Sequence, residues 1–138
     1  MRNYKFRTWD RKNKAMLKVA AVDFSNGICF SPLRDGHLDF WNYDVALMQS
    51  TELKDRNGNE IYEGDILEDE EGFYIVRFDE KRSSYVLDVY GVSGMMLEIG
   101  WDETAGEFKI VETLQFDDFY AVPKVIGNIY ENGELINR

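Results

Sequence analysis

Two residues that could support covalent catalysis each occur once in this chain of 138 residues, Cys29 and His37. Nucleophilic catalysis needs a nucleophile, a base and an orienting group, and a reactive thiolate also needs an electropositive pocket. Cys29 lies between Ile28 and Phe30, where a cysteine is usually a small core residue. His37 follows Gly36 in what we predict to be an exposed loop, so the two could pair only if that loop folded back. The pattern favours a structural cysteine.

Metal binding has one candidate segment. One cysteine and one histidine cannot build a zinc site without several carboxylates. Residues 55–60 place oxygen-bearing side chains at alternate positions, as calcium loops do, but Gly58 is fourth rather than sixth and Ile66 is twelfth. We therefore interpret this segment as a hairpin tip centred on Asn57 and Gly58, and we predict no metal ion and no cofactor.

Acid–base catalysis would need a carboxyl group that is buried enough to shift its pKa. The chain has 26 acidic residues, and adjacent pairs such as Asp117 and Asp118 arise among them by chance. The sequence contains neither a Gly-x-Gly-x-x-Gly nor a Gly-x-x-x-x-Gly-Lys phosphate loop. We expect a protein that is not an enzyme and has no catalytic residues.

The charge is divided along the chain. Residues 1–20 carry seven basic residues and one acid, Asp10, for a net charge of +6, whereas the remaining 118 residues carry −16. Two interpretations stay open: the basic segment contacts acidic residues of this chain or of another subunit, or it binds nucleic acid. The first is favoured, because the acidic body repels phosphate. The candidate interaction surface comprises Arg2, Lys5, Arg7, Trp9, Arg11, Lys12 and Lys14.

The first 37 residues read as a β meander. Apolar and polar residues alternate over residues 4–9, which predicts a strand, and apolar runs over 16–24 and 28–30 predict two more. Asn26 and Gly27 between the last two favour a tight hairpin turn. We predict an N-terminal β meander over residues 1–37, followed by a body over residues 38–138.

The body has further strand signals. Asn57 and Gly58 predict a hairpin, and the acidic residues 117–118 predict one helical turn over 117–120. The predicted strands lie at residues 45–49, 66–67, 73–78, 84–90, 95–101, 108–114 and 125–130. The whole is predicted to be mainly β: a meander followed by a small SH3-like barrel or β sandwich, with at most one or two short helical turns.

Three segments resemble the YopX-like proteins of bacterial phages and prophages. Residues 47–66 resemble the central signature of that family, residues 4–10 its N-terminal signature and residues 125–132 its C-terminal one. The segments occur in the family's order and span nearly the whole chain. One departure is Glu52, where the resemblance leads us to expect glycine after Thr51. The resemblance implies a mainly β, non-enzymatic protein of phage or prophage origin, with no catalytic residues to transfer.

The expected function follows from these observations. We expect a phage or prophage accessory protein that acts through protein–protein contacts, either by forming a homo-oligomer or by binding a host protein. The alternative is a nucleic-acid-binding module that uses the basic N-terminal strand. A single cysteine fits a reducing compartment, and no apolar segment suggests a signal peptide or a membrane span, so we expect the bacterial cytoplasm.

Overall fold

The structure, a computed structural model, describes residues 5–70, 72–81, 83–91, 96–102, 107–110 and 123–136. Its elements in chain order are β1 (Phe6–Asp10), β2 (Ala15–Lys18), β3 (Ala21–Asp23), β4 (Ile28–Phe30), β5 (Leu38–Asp39), β6 (Val45–Lys54), β7 (Glu60–Tyr62), β8 (Asp65–Asp69), β9 (Gly72–Asp79), β10 (Ser84–Val89), β11 (Met96–Asp102), β12 (Glu107–Ile110), β13 (Lys124–Asn128) and the 3-10 turn η1 (Gly133–Leu135). The prediction of a mainly β fold is confirmed, and the sheets are curled. The helical turn predicted at 117–120 lies outside the described residues. No helix within the described ranges is long and apolar enough to cross a membrane.

The chain divides into two compact units, an N-terminal unit (Met1–Ser50) and a C-terminal unit (Thr51–Arg138). The long strand β6 contributes residues to both. The boundary between the β meander and the body, expected between residues 37 and 38, stays a prediction.

The N-terminal unit contains two small antiparallel sheets. In the first, β1 lies between β2 and β6, with Thr8 opposite Leu17 on one side and Leu47 on the other. In the second, β4 lies between β3 and β5, with Cys29 opposite Val22. The central position of β1 satisfies the hydrogen-bonding groups on both of its edges, which is the usual situation of a buried strand.

The C-terminal unit is built on a six-stranded antiparallel sheet in the order β12-β11-β10-β9-β8-β13. Here the second half of β6 pairs with β7, and the Thr51 hydroxyl donates a hydrogen bond of 2.7 Å to the Ile61 carbonyl. Apolar side chains at alternate strand positions form the core of this unit. Its buried members are Leu53, Ile61, Leu67, Tyr74, Val76 and Leu87.

Two predicted strands differ from those observed. The run 16–24 is two strands, because β2 pairs with β1 and β3 pairs with β4, and the chain crosses between them at Val19 and Ala20. The Ala20 amide donates to the Phe30 carbonyl at 2.8 Å at the start of the new pairing. The strand predicted over 45–49 continues to Lys54, because β6 changes its partner from β1 to β7 along its length. The alternation of apolar and polar residues along a sequence does not reveal where a strand changes its pairing partner.

The hairpin predicted at Asn57 and Gly58 joins β6 to β7, and Asp55 organises it. One oxygen of the buried Asp55 carboxylate, Oδ1, accepts hydrogen bonds from the amides of Asn57 (2.9 Å) and Asn59 (2.8 Å). The other oxygen, Oδ2, accepts from the amide of Val125 at 2.8 Å. Two of the segments that carry the family resemblance, 47–66 and 125–132, are therefore joined by a hydrogen bond through a hairpin carboxylate.

Candidate interaction surface

The structure places most of the basic candidate residues on the surface. Lys5, Arg11, Lys12 and Lys14 are exposed and Arg7 is half-buried, whereas Arg2 lies outside the described residues. Arg11, Lys12 and Lys14 belong to the β1–β2 connection, residues 11–14, which we call the basic turn. The prediction that these residues form an interaction surface is not tested by their exposure alone.

Trp9 corrects that prediction at one position. Its side chain is only 9% exposed, so its ring is part of the core of the N-terminal unit rather than of the surface. The reason is the central position of β1: Trp9 lies opposite Met16 on β2 and Ala46 on β6, which flank it on both sides. Without rearrangement, Trp9 cannot offer a face on which a nucleic-acid base could stack.

Cys29 and His37 are in the environments that the sequence predicts. Cys29 is 0% exposed, and burial raises the pKa of its thiol, although a hydrogen bond with Thr8 acts in the opposite direction. His37 is exposed in the loop before β5. A buried thiol with a raised pKa is a poor nucleophile at neutral pH. Among the described residues, no group of three or more His, Cys, Asp or Glu side chains is placed to hold a metal ion.

A surface that the sequence did not suggest lies at one end of the three-stranded sheet. Phe24 is 59% exposed, Trp41 58% and Tyr43 75%, and we call these three side chains the aromatic surface. Phe24 packs edge-to-face against Phe6, with ring centroids 5.8 Å apart, and against Phe40, with centroids 6.2 Å apart. The exposed Phe24 ring is thus packed against two other aromatic rings, an arrangement worth about 0.5–1.5 kcal/mol per pair beyond area burial.

Gly27 fixes the position of Trp41. Its carbonyl accepts hydrogen bonds from the amides of Phe40 at 2.9 Å and Trp41 at 3.3 Å. Gly27 has φ +68°, and a Cβ atom at this position would overlap the indole ring of Trp41. The absence of a side chain at Gly27 therefore lets Trp41 lie directly on the backbone, although much of the ring remains in solvent.

Three turns of the N-terminal unit share one sequence pattern, and two of them carry the residues of the aromatic surface. We call residues 10–14, 23–27 and 39–43 the Asp-x-x-Asn turns. In each, the asparagine side chain donates to the aspartate Oδ2 at 2.8 Å, and the asparagine backbone amide donates to Oδ1. The fifth residue of each turn has positive φ: 52° at Lys14, 68° at Gly27 and 64° at Tyr43. These local bonds are Asx-turn bonds and hold the turns in shape without any contribution from the core.

The carboxylates of the first two turns, Asp10 and Asp23, are held in their charged form. The Asn13 side chain has the largest effect on Asp10 and lowers its pKa, and the backbone amides of Asn13 and Lys12 act in the same direction against burial. Asp23 has a lowered pKa for the same reason, with Asn26 in the place of Asn13. Hydrogen bonds to a carboxylate favour its ionised form.

The basic turn and the turn that carries the aromatic residues lie side by side. The Arg11 amide donates to the Asp44 carbonyl at 3.2 Å, next to the pairing of Asp10 with Val45 that begins β6. The guanidinium of Arg34 approaches Asp10 Oδ2 at 3.4 Å. The backbone of the basic turn therefore lies beside Asp44, the residue after Tyr43, although the two turns are about thirty residues apart in sequence.

A cleft of about 530 Å³ adjoins the aromatic surface. Its size suits a small ligand or a few side chains, because ligand sites are typically about 300–1,000 Å³. The lining is apolar apart from one amide side chain and contains no acid, base or nucleophile. Its residues are Phe6, Val19, Ala20, Ala21, Val22, Phe24 and Gln49. The arrangement can receive apolar groups and cannot do acid–base or covalent chemistry.

The Asp-x-x-Asn spacing is the signal by which the aromatic surface could have been found. It occurs at Asp10, Asp23 and Asp39, each followed three residues later by asparagine. Turn residues in the sequence predict the first two copies, at 10–14 and at Asn26 and Gly27, but not the third. The third copy ends in Tyr43, which is not an obvious turn residue. The three aromatic residues within the third copy, Phe40, Trp41 and Tyr43, then follow as turn residues and hence as candidates for exposure.

Comparison with known proteins places the chain in a family. The family described as "YopX protein" matches residues 5–137. Among solved structures, the crystal structure of protein EF1440 from Enterococcus faecalis shares 32% sequence identity with this chain, covers 99% of this chain and 100% of that chain, and gives a TM-score of 0.49. No curated protein matches the chain. Because the family match covers nearly the whole sequence and confirms the resemblance of its three segments, the chain belongs to the YopX family.

Proposed function

We propose that this YopX-family protein is a non-enzymatic accessory protein of a phage or prophage, that it works in the bacterial cytoplasm through contacts with other proteins, and that the aromatic surface is where a partner docks. The observation that carries this proposal is the exposure of Phe24, Trp41 and Tyr43 in two turns at one end of one sheet, where Trp41 lies against Gly27 in the turn that contains Phe24. Single exposed apolar residues are ordinary, but contiguous patches on soluble proteins usually mark interaction sites.

The composition of this surface supports a protein partner. Binding hot spots are enriched in tryptophan, tyrosine and arginine. Trp41 and Tyr43 lie here beside the basic turn with Arg11. The Asp-x-x-Asn turns hold the backbone in place before binding, so little conformational entropy is lost when a partner docks. The adjoining apolar cleft offers space for side chains of the partner.

A nucleic-acid partner is less well supported. Burial of Trp9 removes the aromatic residue that the basic strand would use for stacking, and the molecule carries a net charge of −10. The same experiment distinguishes the two partner classes, because nuclease treatment removes nucleic acid and leaves proteins in place.

The test is a pull-down with the immobilised chain, using bacterial lysate with and without nuclease treatment and, separately, the soluble chain itself. We expect the wild type to retain a specific protein and the variant Trp41→Ser/Tyr43→Ser to lose it. Truncation of a hot-spot residue costs about 2 kcal/mol or more, which weakens binding by about 30-fold per residue.

The matched control is Tyr90→Ser, which removes an aromatic residue that is 41% exposed in the C-terminal unit. We expect this variant to retain the same protein as the wild type. Circular dichroism and urea unfolding establish that all three chains are folded. The proposal is wrong if the wild type retains no protein, if the double variant retains it equally well, or if retention disappears with nuclease treatment.

A further inference from the structure

The two compact units carry opposite net charges. The N-terminal unit contains eight Lys or Arg and five Asp or Glu residues, a net charge of +3. The C-terminal unit contains eight Lys or Arg and twenty-one Asp or Glu residues, a net charge of −13. The sequence shows a contrast in net charge between residues 1–20 and the rest of the chain. The two structural units show the same contrast, because their net charges have opposite signs.

The acids of the N-terminal unit are mostly engaged within it. Asp10, Asp23 and Asp39 accept the hydrogen bonds of the Asp-x-x-Asn turns. The other two, Asp35 and Asp44, are exposed. The exposed cations of the same unit include Lys5, Arg11, Lys12, Lys14 and Lys18. In the described part of this unit, five exposed cations therefore face two exposed acids.

We propose that the protein associates with itself head to tail: the basic turn and the adjoining aromatic surface of one copy bind the acidic C-terminal unit of the next. This inference rests on the proposed function and identifies the partner of the same surface as a second copy of the chain. Exposed acids in the described part of the C-terminal unit include Glu70, Glu80, Glu131 and Glu134.

Charge complementarity favours a second copy over nucleic acid. A second copy offers a unit of net charge −13 to the unit of net charge +3, whereas a polyanion meets a chain whose net charge of −10 repels it. The contact uses two different surfaces, so it is heterologous, and such contacts form rings or open chains rather than stopping at a symmetric dimer.

The test is sedimentation velocity of the full chain over a range of concentrations. At ~50 mM salt we expect the average mass to rise with concentration beyond twice 16.2 kDa, and at ~500 mM salt to fall back because exposed charges are screened. The variant Lys12→Glu/Lys14→Glu should sediment as a monomer at both salt concentrations.

A mixing experiment tests the head-to-tail arrangement. Lys12→Glu/Lys14→Glu lacks the basic turn but retains an intact acidic unit, so it should bind one end of a wild-type oligomer and stop its growth. Addition of this variant in excess should reduce wild-type assemblies towards heterodimers. In a symmetric contact, the variant would leave the wild-type assemblies unchanged. The control Lys54→Glu/Lys81→Glu makes the same change in net charge with two exposed lysines of the C-terminal unit and should assemble like the wild type.

Several outcomes overturn the inference. It falls if the wild type is monomeric at every concentration, if the basic-turn variant assembles normally, or if assembly stops at a dimer that the variant does not cap. It also falls if the wild type stays monomeric but binds a labelled 15-nucleotide oligothymidine through Lys12 and Lys14. If the chain does not self-associate but retains a bacterial protein through Trp41 and Tyr43, the proposed function stands and this inference alone is wrong.

Discussion

Glu52 adopts a backbone conformation that suits glycine. The family resemblance leads us to expect glycine after Thr51, and the structure places Glu52 at φ +65° within β6. In the left-handed region the Cβ of an L-residue crowds the following carbonyl, at a cost of about 1–2 kcal/mol. The departure from the signature therefore places a residue with a Cβ atom in a conformation that strains the backbone.

We predict that Glu52→Gly stabilises the protein. Relief of the strain is partly offset by the greater freedom of glycine in the unfolded chain, so the free energy of unfolding should rise by about 0.5–1 kcal/mol. Urea unfolding measures the change, and Glu52→Ala is the control because it removes the side chain and keeps the strain. If the glycine variant is no more stable than the alanine variant, strain at Glu52 is not significant.

Asp55 is the second residue whose local chemistry affects stability. Burial alone would raise its pKa, but hydrogen bonds from the Val125 amide and from Asn59 and Asn57 outweigh burial and leave the pKa lowered from its ordinary value of 3.8. A carboxyl whose pKa is lower in the folded state contributes stability above its ordinary pKa. That contribution is lost as the pH falls through the lowered, folded-state value.

We predict that Asp55→Asn destabilises the protein by about 2–3 kcal/mol at pH 7, because an amide presents one acceptor in place of two and leaves a buried N–H unsatisfied. The difference from the wild type should shrink as the pH falls below the ordinary pKa of the carboxyl, where the wild type loses the same interactions. Urea unfolding over a series of pH values measures both effects. The exposed Asp35→Asn should change stability by less than about 0.5 kcal/mol. A pH-independent loss at Asp55 would contradict this account.

At the scale of elements, the Asp-x-x-Asn turns determine which side chains reach the surface. Each turn forms its own hydrogen bonds, so each closes a β connection in the N-terminal unit independently of its neighbours. In the second turn Gly27 also contacts Trp41, which belongs to the third. The aromatic surface thus depends on one glycine as well as on aromatic residues.

We predict that Gly27→Ala costs considerably more stability than Gly36→Ala. The two glycines have similar φ, +68° and +74°, but a Cβ at Gly36 meets no atom within 4 Å, whereas at Gly27 it overlaps Trp41. The expected loss is about 1 kcal/mol for Gly36→Ala, from strain alone, and about 2–4 kcal/mol for Gly27→Ala. Urea unfolding and tryptophan fluorescence measure the losses and the displacement of the ring. Equal losses would mean that Trp41 does not depend on Gly27.

The strands could be largely predicted from the sequence and the interaction surface only in part. Alternation and turn residues reveal strands because they act over a few neighbouring residues. The burial of Trp9 could not be predicted, because it depends on β2 and β6 pairing on both sides of β1. The approach of Arg11 to Asp44 is likewise a result of strand pairing rather than of local sequence.

At the scale of the whole molecule, the account describes a YopX-family protein with a basic N-terminal unit and an acidic C-terminal unit. The aromatic surface and the basic turn both belong to the basic unit. We therefore expect binding to depend on both apolar and charged groups. Salt should weaken binding because it screens the charges, and Trp41→Ser/Tyr43→Ser should weaken binding because it removes apolar contacts.

The most direct test of the central claim, that another protein docks on the aromatic surface, is fluorescence-detected sedimentation of the labelled full chain in buffer and in nuclease-treated bacterial lysate. The account predicts that the wild type sediments faster than a 16.2-kDa monomer in at least one of the two media, and that Trp41→Ser/Tyr43→Ser sediments as a monomer in both. A wild type that is monomeric in both media, or a folded variant that sediments as the wild type does, would contradict it.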